Sequence, residues 1–173
     1  MLLSIRRMLG CDRASSALEF GLVAPMFFGF LFTFYDVGLH MLRQALLSSA
    51  VDKTVRELRI GKGPADVDEF TQVVCRRSLI MPRCDDTLVV SQVKIERGSD
   101  LPDEGVTCAE REPGGTVLKP SLEWTQGTPP DVMYVRVCAL ANSLIGGPWG
   151  VGRTLKDENG DTRITTTTAY MSE

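Results

Sequence analysis

The feature that most constrains this chain is an uncharged run from Phe20 to Tyr35, entered directly from a single carboxylate, Glu19. Its 16 residues make about 24 Å of helix at 1.5 Å per residue. A bilayer core is about 30 Å thick, so the run spans one if Ser15 to Leu18 extend it on one side and Val37 to Leu42 on the other. Asp36 and His40 then sit at the outer interface. A carboxylate at the centre of such a helix costs about 2.5–3.5 kcal/mol, and somewhat less near the interface. Leucine would avoid that cost, so Glu19 points to function rather than packing. No other window approaches membrane length, and the 173-residue chain is otherwise sized for one globular domain.

Charge sets the expected orientation. Arg6, Arg7 and Arg13 precede the span against one Asp12, which keeps the N-terminus cytoplasmic and exports the remainder. The small residues Ala14 to Ala17 lie between this basic leader and Glu19 and point to a chain cut near Glu19. Removing residues 1–14 leaves 16 basic and 21 acidic residues, a net charge of −5. A nucleic-acid surface needs a clustered basic face, and none is expected here. An ordinary secretory signal would need a small-x-small site soon after the apolar run. The nearest, Ser48-Ser49-Ala50, is too distant and falls inside a helical pattern. A lipoprotein signal at Gly10-Cys11 would have no apolar core before it. The serious alternative is an uncleaved signal anchor, which leaves Glu19 unexplained.

Ala14-Ser-Ser-Ala-Leu-Glu19-Phe20, followed by Gly21-Leu-Val-Ala-Pro25 and a Phe-rich run, resembles the TadE/TadF-like minor pseudopilins of tight adherence (Tad/Flp) pili. The resemblance implies a prepilin peptidase that cuts after a small residue, usually Gly, leaving Glu fifth and an aromatic sixth. Cutting between Ala14 and Ser15 puts Glu19 fifth and Phe20 sixth; the departure is Ala14 where Gly is usual. Pro25 matches the family's Pro after the first apolar turns, and Asp36-Val-Gly38 its acidic-x-Gly after the span. The similarity is strongest over residues 13–60. Downstream it is carried by the Cys75…Cys84 pair, Gly127-Thr-Pro-Pro-Asp-Val132 and the threonine-rich last strand. The family implies a charge pair between the freed α-ammonium of Ser15 and the carboxylate of Glu19, formed between neighbouring subunits. It also implies other pilins or pseudopilins, the inner-membrane assembly platform and the lipid bilayer as partners, with no cofactor. The expected organisation is a cleaved leader over 1–14, a transmembrane and stalk helix over 15–60, and an exported head over 61–173.

Beyond the span the helical period continues. Leu39, Leu42 and Leu46 form one line, and Leu47, Val51, Val55 and Leu58 a second, with charged residues between them. Gly61-Lys-Gly-Pro64 should end the helix. The head reads as α+β: one helix capped by Asp66 or Asp68 and running to about Leu79, packed on a three- to four-stranded, mainly antiparallel sheet. Phe70, Val73 and Val74 should form that helix's apolar face. Strands are expected at about Thr87 to Arg97, Asp131 to Leu140 and Asp161 to Met171, with a short ribbon near Thr116 to Lys119. Residues 98–130 and 143–160 read as long loops, the second holding Trp149.

Cys11 falls in the leader, whereas Cys75, Cys84, Cys108 and Cys138 fall in the exported part. An even number outside the cytoplasm points to disulfides, and four allow three connectivities. The favoured one joins Cys75 to Cys84, between the head helix and the first strand, and Cys108 to Cys138, fastening a loop to a central strand. The others stay open at this point. No metal is expected, since there is no C-x-x-C and the single His, His40, lies in the stalk. No catalytic residue is expected either. Without a second His there is no Ser-His-Asp set, and Asp85-Asp86 and Asp103-Glu104 read as solvated loop charge. The glycine-rich Gly146 to Gly152 lacks the Lys-Ser/Thr of a phosphate loop. The expected function is therefore a non-enzymatic assembly component. The alternative is an uncleaved, single-span binding or adhesion module with a disulfide-stabilised extracytoplasmic head.

Overall fold

The computed structural model describes residues 12–95, 108–112, 115–120, 123–142 and 161–172. Residues 1–11 with Cys11, Asp103-Glu104, and the 143–160 segment with Gly146 to Gly152 and Trp149 lie outside these. Helix α1 (Asp12–Arg59) carries both the apolar run and the stalk. Helix α2 (Val67–Ser78) and the one-turn α3 (Cys84–Thr87) precede strand β1 (Val89–Ile95). A two-residue ribbon, β2 (Glu110–Arg111) with β3 (Val117–Leu118), is followed by the long strands β4 (Val132–Asn142) and β5 (Asp161–Met171). The main sheet is antiparallel in the order β1-β4-β5, and β2-β3 is a separate antiparallel pair. The fold is α+β, a long N-terminal helix followed by a small head.

Helix α1 ends where the sequence says it must. Gly61 takes a left-handed φ of 69°, and the Gly61 and Lys62 amides donate to the Leu58 and Glu57 carbonyls. Gly63 then passes so close to Leu58 that a Cβ would lie 2.6 Å from its backbone. Asp66 caps α2, its carboxylate accepting from the Glu69 amide at 2.7 Å, while Glu69 reaches back to the Ala65 amide at 2.8 Å. The first strand starts later than expected, at Val89 rather than Thr87, because the chain after Cys84 makes a helical turn closed by the Leu88 amide on the Cys84 carbonyl.

One face of the sheet makes the core. Val90, Val135, Val137, Ala139, Ala141 and Ile164 meet Leu47, Ala50, Val51 and Val55 of α1 and Phe70 and Val74 of α2. Register explains the membership. Val90 pairs with Val137 and Ile164 with Ala139, so period-two alternation brings these side chains to one side. Val89, Leu140 and Ala109 form a smaller cluster with Val117 on the opposite face, under the ribbon. The head therefore has a helical layer, a sheet and a partial third layer.

Side-chain burial selects among the sequence patterns, and on α2 it corrects one expectation. Of the two stalk lines, only the Leu47–Val51–Val55 line docks; Leu42 is 45 % exposed. One turn before Leu47, α1 buries Arg43, whose Nη1 donates to the Asn142 carbonyl at 2.7 Å. On α2, Val73 is only partly buried, and Thr71 and Ser78 complete the inner face with Phe70 and Val74. On β1, Val93 and Ile95 face away from the helices, and Gln92 occupies the core side. Its Nε2 donates to the Thr125 carbonyl at 2.9 Å and to the Tyr170 hydroxyl at 3.1 Å, which makes a buried amide tolerable there. Burial raises the Tyr170 phenol above its ordinary pKa, against the opposing effect of the Gln92 bond.

Leu47→Ala is expected to lower unfolding stability by about 2–5 kcal/mol. Leu42→Ala should change it by less than about 0.5 kcal/mol. Denaturant titration of the detergent-solubilised chain checks both, and equal losses would contradict the docking line described above.

Candidate functional site: one helix in two environments

Residues 20–35 of α1 point their side chains away from the head. Phe20, Leu22, Met26, Phe30 and Phe34 are among the most exposed apolar residues of the molecule. Residues 16–59 pass the length and hydropathy test for a membrane span, and the qualifying window is wholly unburied. The internal polar groups are handled locally. Thr33 donates its hydroxyl to the Gly29 carbonyl one turn back at 2.8 Å, the arrangement that hides a hydroxyl in lipid. Phe28 and Phe32 stack at 6.2 Å, and Phe30 and Phe34 approach at 5.0 Å. Pro25 lies inside the helix and cannot donate to the carbonyl of Gly21, but the helix continues through it.

Glu19 and Phe20 are both exposed on this half, one turn before Val23. Glu19 has no hydrogen bond or ion pair among the described residues. The backbone at Ala14 and Ser15 is helical, while their side chains lie outside the described part.

The second half of α1 is fastened to the head by polar contacts as well as by its apolar line. Gln44 donates to the Thr165 carbonyl at 2.9 Å, and Ser48 and Thr166 share a 2.9 Å hydrogen bond. Toward the far end, Arg77 of α2 donates to buried Thr54 at 3.1 Å and to Glu57 at 2.6 Å. These partners come from β5 and α2, which sequence periodicity could not place beside the stalk.

The cysteines are brought together in two bridges. Cys75 is bonded to Cys84 with a Cα–Cα distance of 5.6 Å, tying the end of α2 to α3. Cys108 is bonded to Cys138 at 5.5 Å, tying the strand-β2 side of the ribbon to central strand β4. The second bridge is reinforced by Arg111, which donates to Asp161 at 2.6 Å and to the Asn142 side chain at 3.1 Å. Arg111 and Asp161 are both largely buried, and no sequence signal marked them as partners. Among the described residues no group of three or more His, Cys, Asp or Glu side chains could hold a metal ion. His40 lies partly buried on the stalk, and Asp85 and Asp86 are in the α3 turn, with Lys119 donating to the Asp85 carbonyl.

Lys94 and Asp131 pair across the β1–β4 edge at 2.7 Å. The Lys94 ammonium holds the Asp131 carboxyl below its ordinary pKa. Desolvation opposes this, and the Thr128 amide and hydroxyl add to the lowering. A carboxyl depressed in the folded state stabilises above its unfolded pKa and loses that contribution as pH falls through the folded value. Asp131→Asn should therefore be less stable than wild type at neutral pH. The gap should close on acidification below about pH 4, as followed by thermal unfolding across a pH series. Replacing both Cys108 and Cys138 by Ala is expected to cost about 2–4 kcal/mol, measured in the same assay.

Residues 14–56 match the family model described as TadE-like protein. No curated protein and no solved structure matches the chain. The match covers Glu19, the apolar run and the docked half of α1 as far as Val55 and Arg56. In this chain, residues 14–56 are a TadE-like protein domain, built as one helix that is apolar all round in its first half and docked to an α+β head in its second.

Proposed function

We propose that this chain is a minor pseudopilin of the TadE/TadF type that takes part in assembly or initiation of a tight adherence pilus. In this reading residues 1–14 are a leader, cut by a prepilin peptidase between Ala14 and Ser15. Residues 15–60 are the membrane and stalk helix, and residues 61–173 the exported head, with the N-terminus cytoplasmic before processing. The observation that carries the reading is the TadE-like segment that includes Glu19, exposed at the head of an unburied apolar half-helix. The two disulfides support an oxidising compartment for the head. The protein acts by assembly rather than catalysis. Its partners are the peptidase, other pilins or pseudopilins, and the inner-membrane platform.

The chemistry of assembly follows from the medium. In lipid, the carboxylate of Glu19 has no water to solvate it, and the α-ammonium of Ser15 created by cleavage is the natural counter-charge. Pairing it with the ammonium of a neighbouring subunit sets the longitudinal register of adjacent helices. Breaking such a pair from one side costs about 3–5 kcal/mol, enough to disturb docking of one subunit on another.

N-terminal sequencing and intact mass of the protein from piliated cells should give a chain starting at Ser15. An intact Met1, or a start elsewhere, would exclude this processing. Glu19→Leu should insert in the membrane at least as well as wild type, yet fail to support piliation and partner co-purification. Processing is scored separately, so that a defect in cleavage is told apart from a defect in assembly. Normal piliation from a correctly cut Glu19→Leu chain would leave only a tethered module.

A further inference from the structure

The outer end of the head carries a feature that neither the core nor the membrane helix accounts for. Helix α1 and helix α2 end side by side, and between their last turns lies an open groove of about 470 Å³ lined by Lys53, Arg56, Glu57, Ile60, Arg76, Arg77 and Leu79. Leu79, the residue that ends α2, is 84 % exposed and holds a φ of 45°. A β-carbon is poorly tolerated there, and glycine is the residue suited to it. The chain uses glycine for the same task at the end of α1, where Gly61 has φ 69°. Leu79 is thus chosen neither for its backbone conformation nor for burial. Ile60, across the groove, is 59 % exposed, and Ile80 adds to the apolar surface.

The surroundings of Leu79 are rigid and positively charged. The Cys75–Cys84 bridge closes the segment that contains it, and Arg83 holds a second left-handed conformation just before the bridge closes. Lys53, Arg56 and Arg76 have no ion pair among the described residues, whereas Arg77 is held by Glu57. Basic residues in the last turns of α1 and α2 complement the helix dipoles, which explains individual arginines but not the apolar pair between them. Three cations with no ion pair among the described residues, beside the Arg77–Glu57 pair and two exposed apolar side chains, stand out on a chain whose net charge is −3. Charge complementarity therefore selects an acidic occupant, and Ile60 and Leu79 select one with an apolar side chain. The groove stands off the chain's own bilayer, because residues 43–59 rise about 25 Å beyond Leu42, where the span ends.

We propose that this groove docks an acidic segment of a partner protein through an apolar anchor residue seated between Ile60 and Leu79. The site is independent of processing at Ala14 and of any pairing by Glu19. The test uses the full-length protein in detergent and a fluorescein-labelled peptide with one leucine flanked by aspartates, read by fluorescence polarisation. Saturable binding is expected that weakens with salt, and at least about tenfold on replacing the aspartates by lysines or the peptide's leucine by alanine. Arg76→Glu should weaken it by a similar factor. Leu79→Gly is the decisive variant. It relieves the left-handed backbone, so the unfolding temperature should hold or rise, while peptide binding falls at least about tenfold. Equal binding by Leu79→Gly, or no preference for aspartates over lysines, would overturn the proposal. So would association with phosphatidylglycerol vesicles in place of the peptide, or a Leu79-dependent self-association with the peptide ignored.

Discussion

The packing of α1 against the sheet is the interaction on which the rest of the molecule depends. Leu47, Val51 and Val55 form a line that buries itself on Val135, Val137 and Ile164, and the same helix continues toward the N-terminus into residues with no protein neighbours. A helix apolar all round needs lipid or partners, whereas a helix apolar on one side needs a core. Here the two conditions meet in one unbroken element. Whatever holds the first half in a membrane therefore fixes the head rigidly to it, because Arg43, Gln44 and Ser48 bond to β4 and β5 where the two halves join.

The head that grips this helix is small, and its stability is distributed unevenly. The helical face of the sheet is a continuous apolar cluster, and among the described residues the other face has a smaller buried one, Val89, Leu140 and Ala109 with Val117. A thin second layer contributes little hydrophobic stabilisation. The Cys108–Cys138 bridge and the buried Arg111–Asp161 pair lie on that side and restrain the ribbon that covers it. The Cys75–Cys84 bridge does comparable work at the outer end, where α2 must stop, turn through Leu79 and re-enter as α3. Both bridges thus lie where the chain changes direction with few apolar contacts to hold it.

Polar groups inside the head follow the same economy. Gln92 on the core side of β1 binds the 123–125 segment and Tyr170, so a single amide fixes the edge strand to the last strand and to a loop. The Gln92 amide nitrogen and carbonyl also bond to the 123 and 125 backbone, covering part of the β1 edge. Trp124 in this segment stacks edge-on against Phe70 at 5.5 Å, which carries the loop over the α2 side of the core. An exposed strand edge is an invitation to mispairing, and this loop blunts it.

Much of this was legible in the sequence, for reasons that are local. Sixteen uncharged residues after Glu19 determine a membrane-competent helix, Gly61 to Pro64 determines its end, and Asp66 with Glu69 determines the start of α2, because each depends only on neighbours in the chain. The alternation in residues 132–137 determines which side of β4 faces the core. Other decisions belong to the tertiary structure alone. Leu39, Leu42 and Leu46 have a similar helical period to the line that docks, and periodicity cannot say which stripe meets a sheet whose strands come much later in the chain, from Val90 to Ile164. Gln92 reads as solvent-facing until Thr125 and Tyr170 arrive beside it. Arg111 finds Asp161, and Ile60 finds Leu79, only through long-range packing, since no spacing along the chain encodes which distant residues a fold brings within reach.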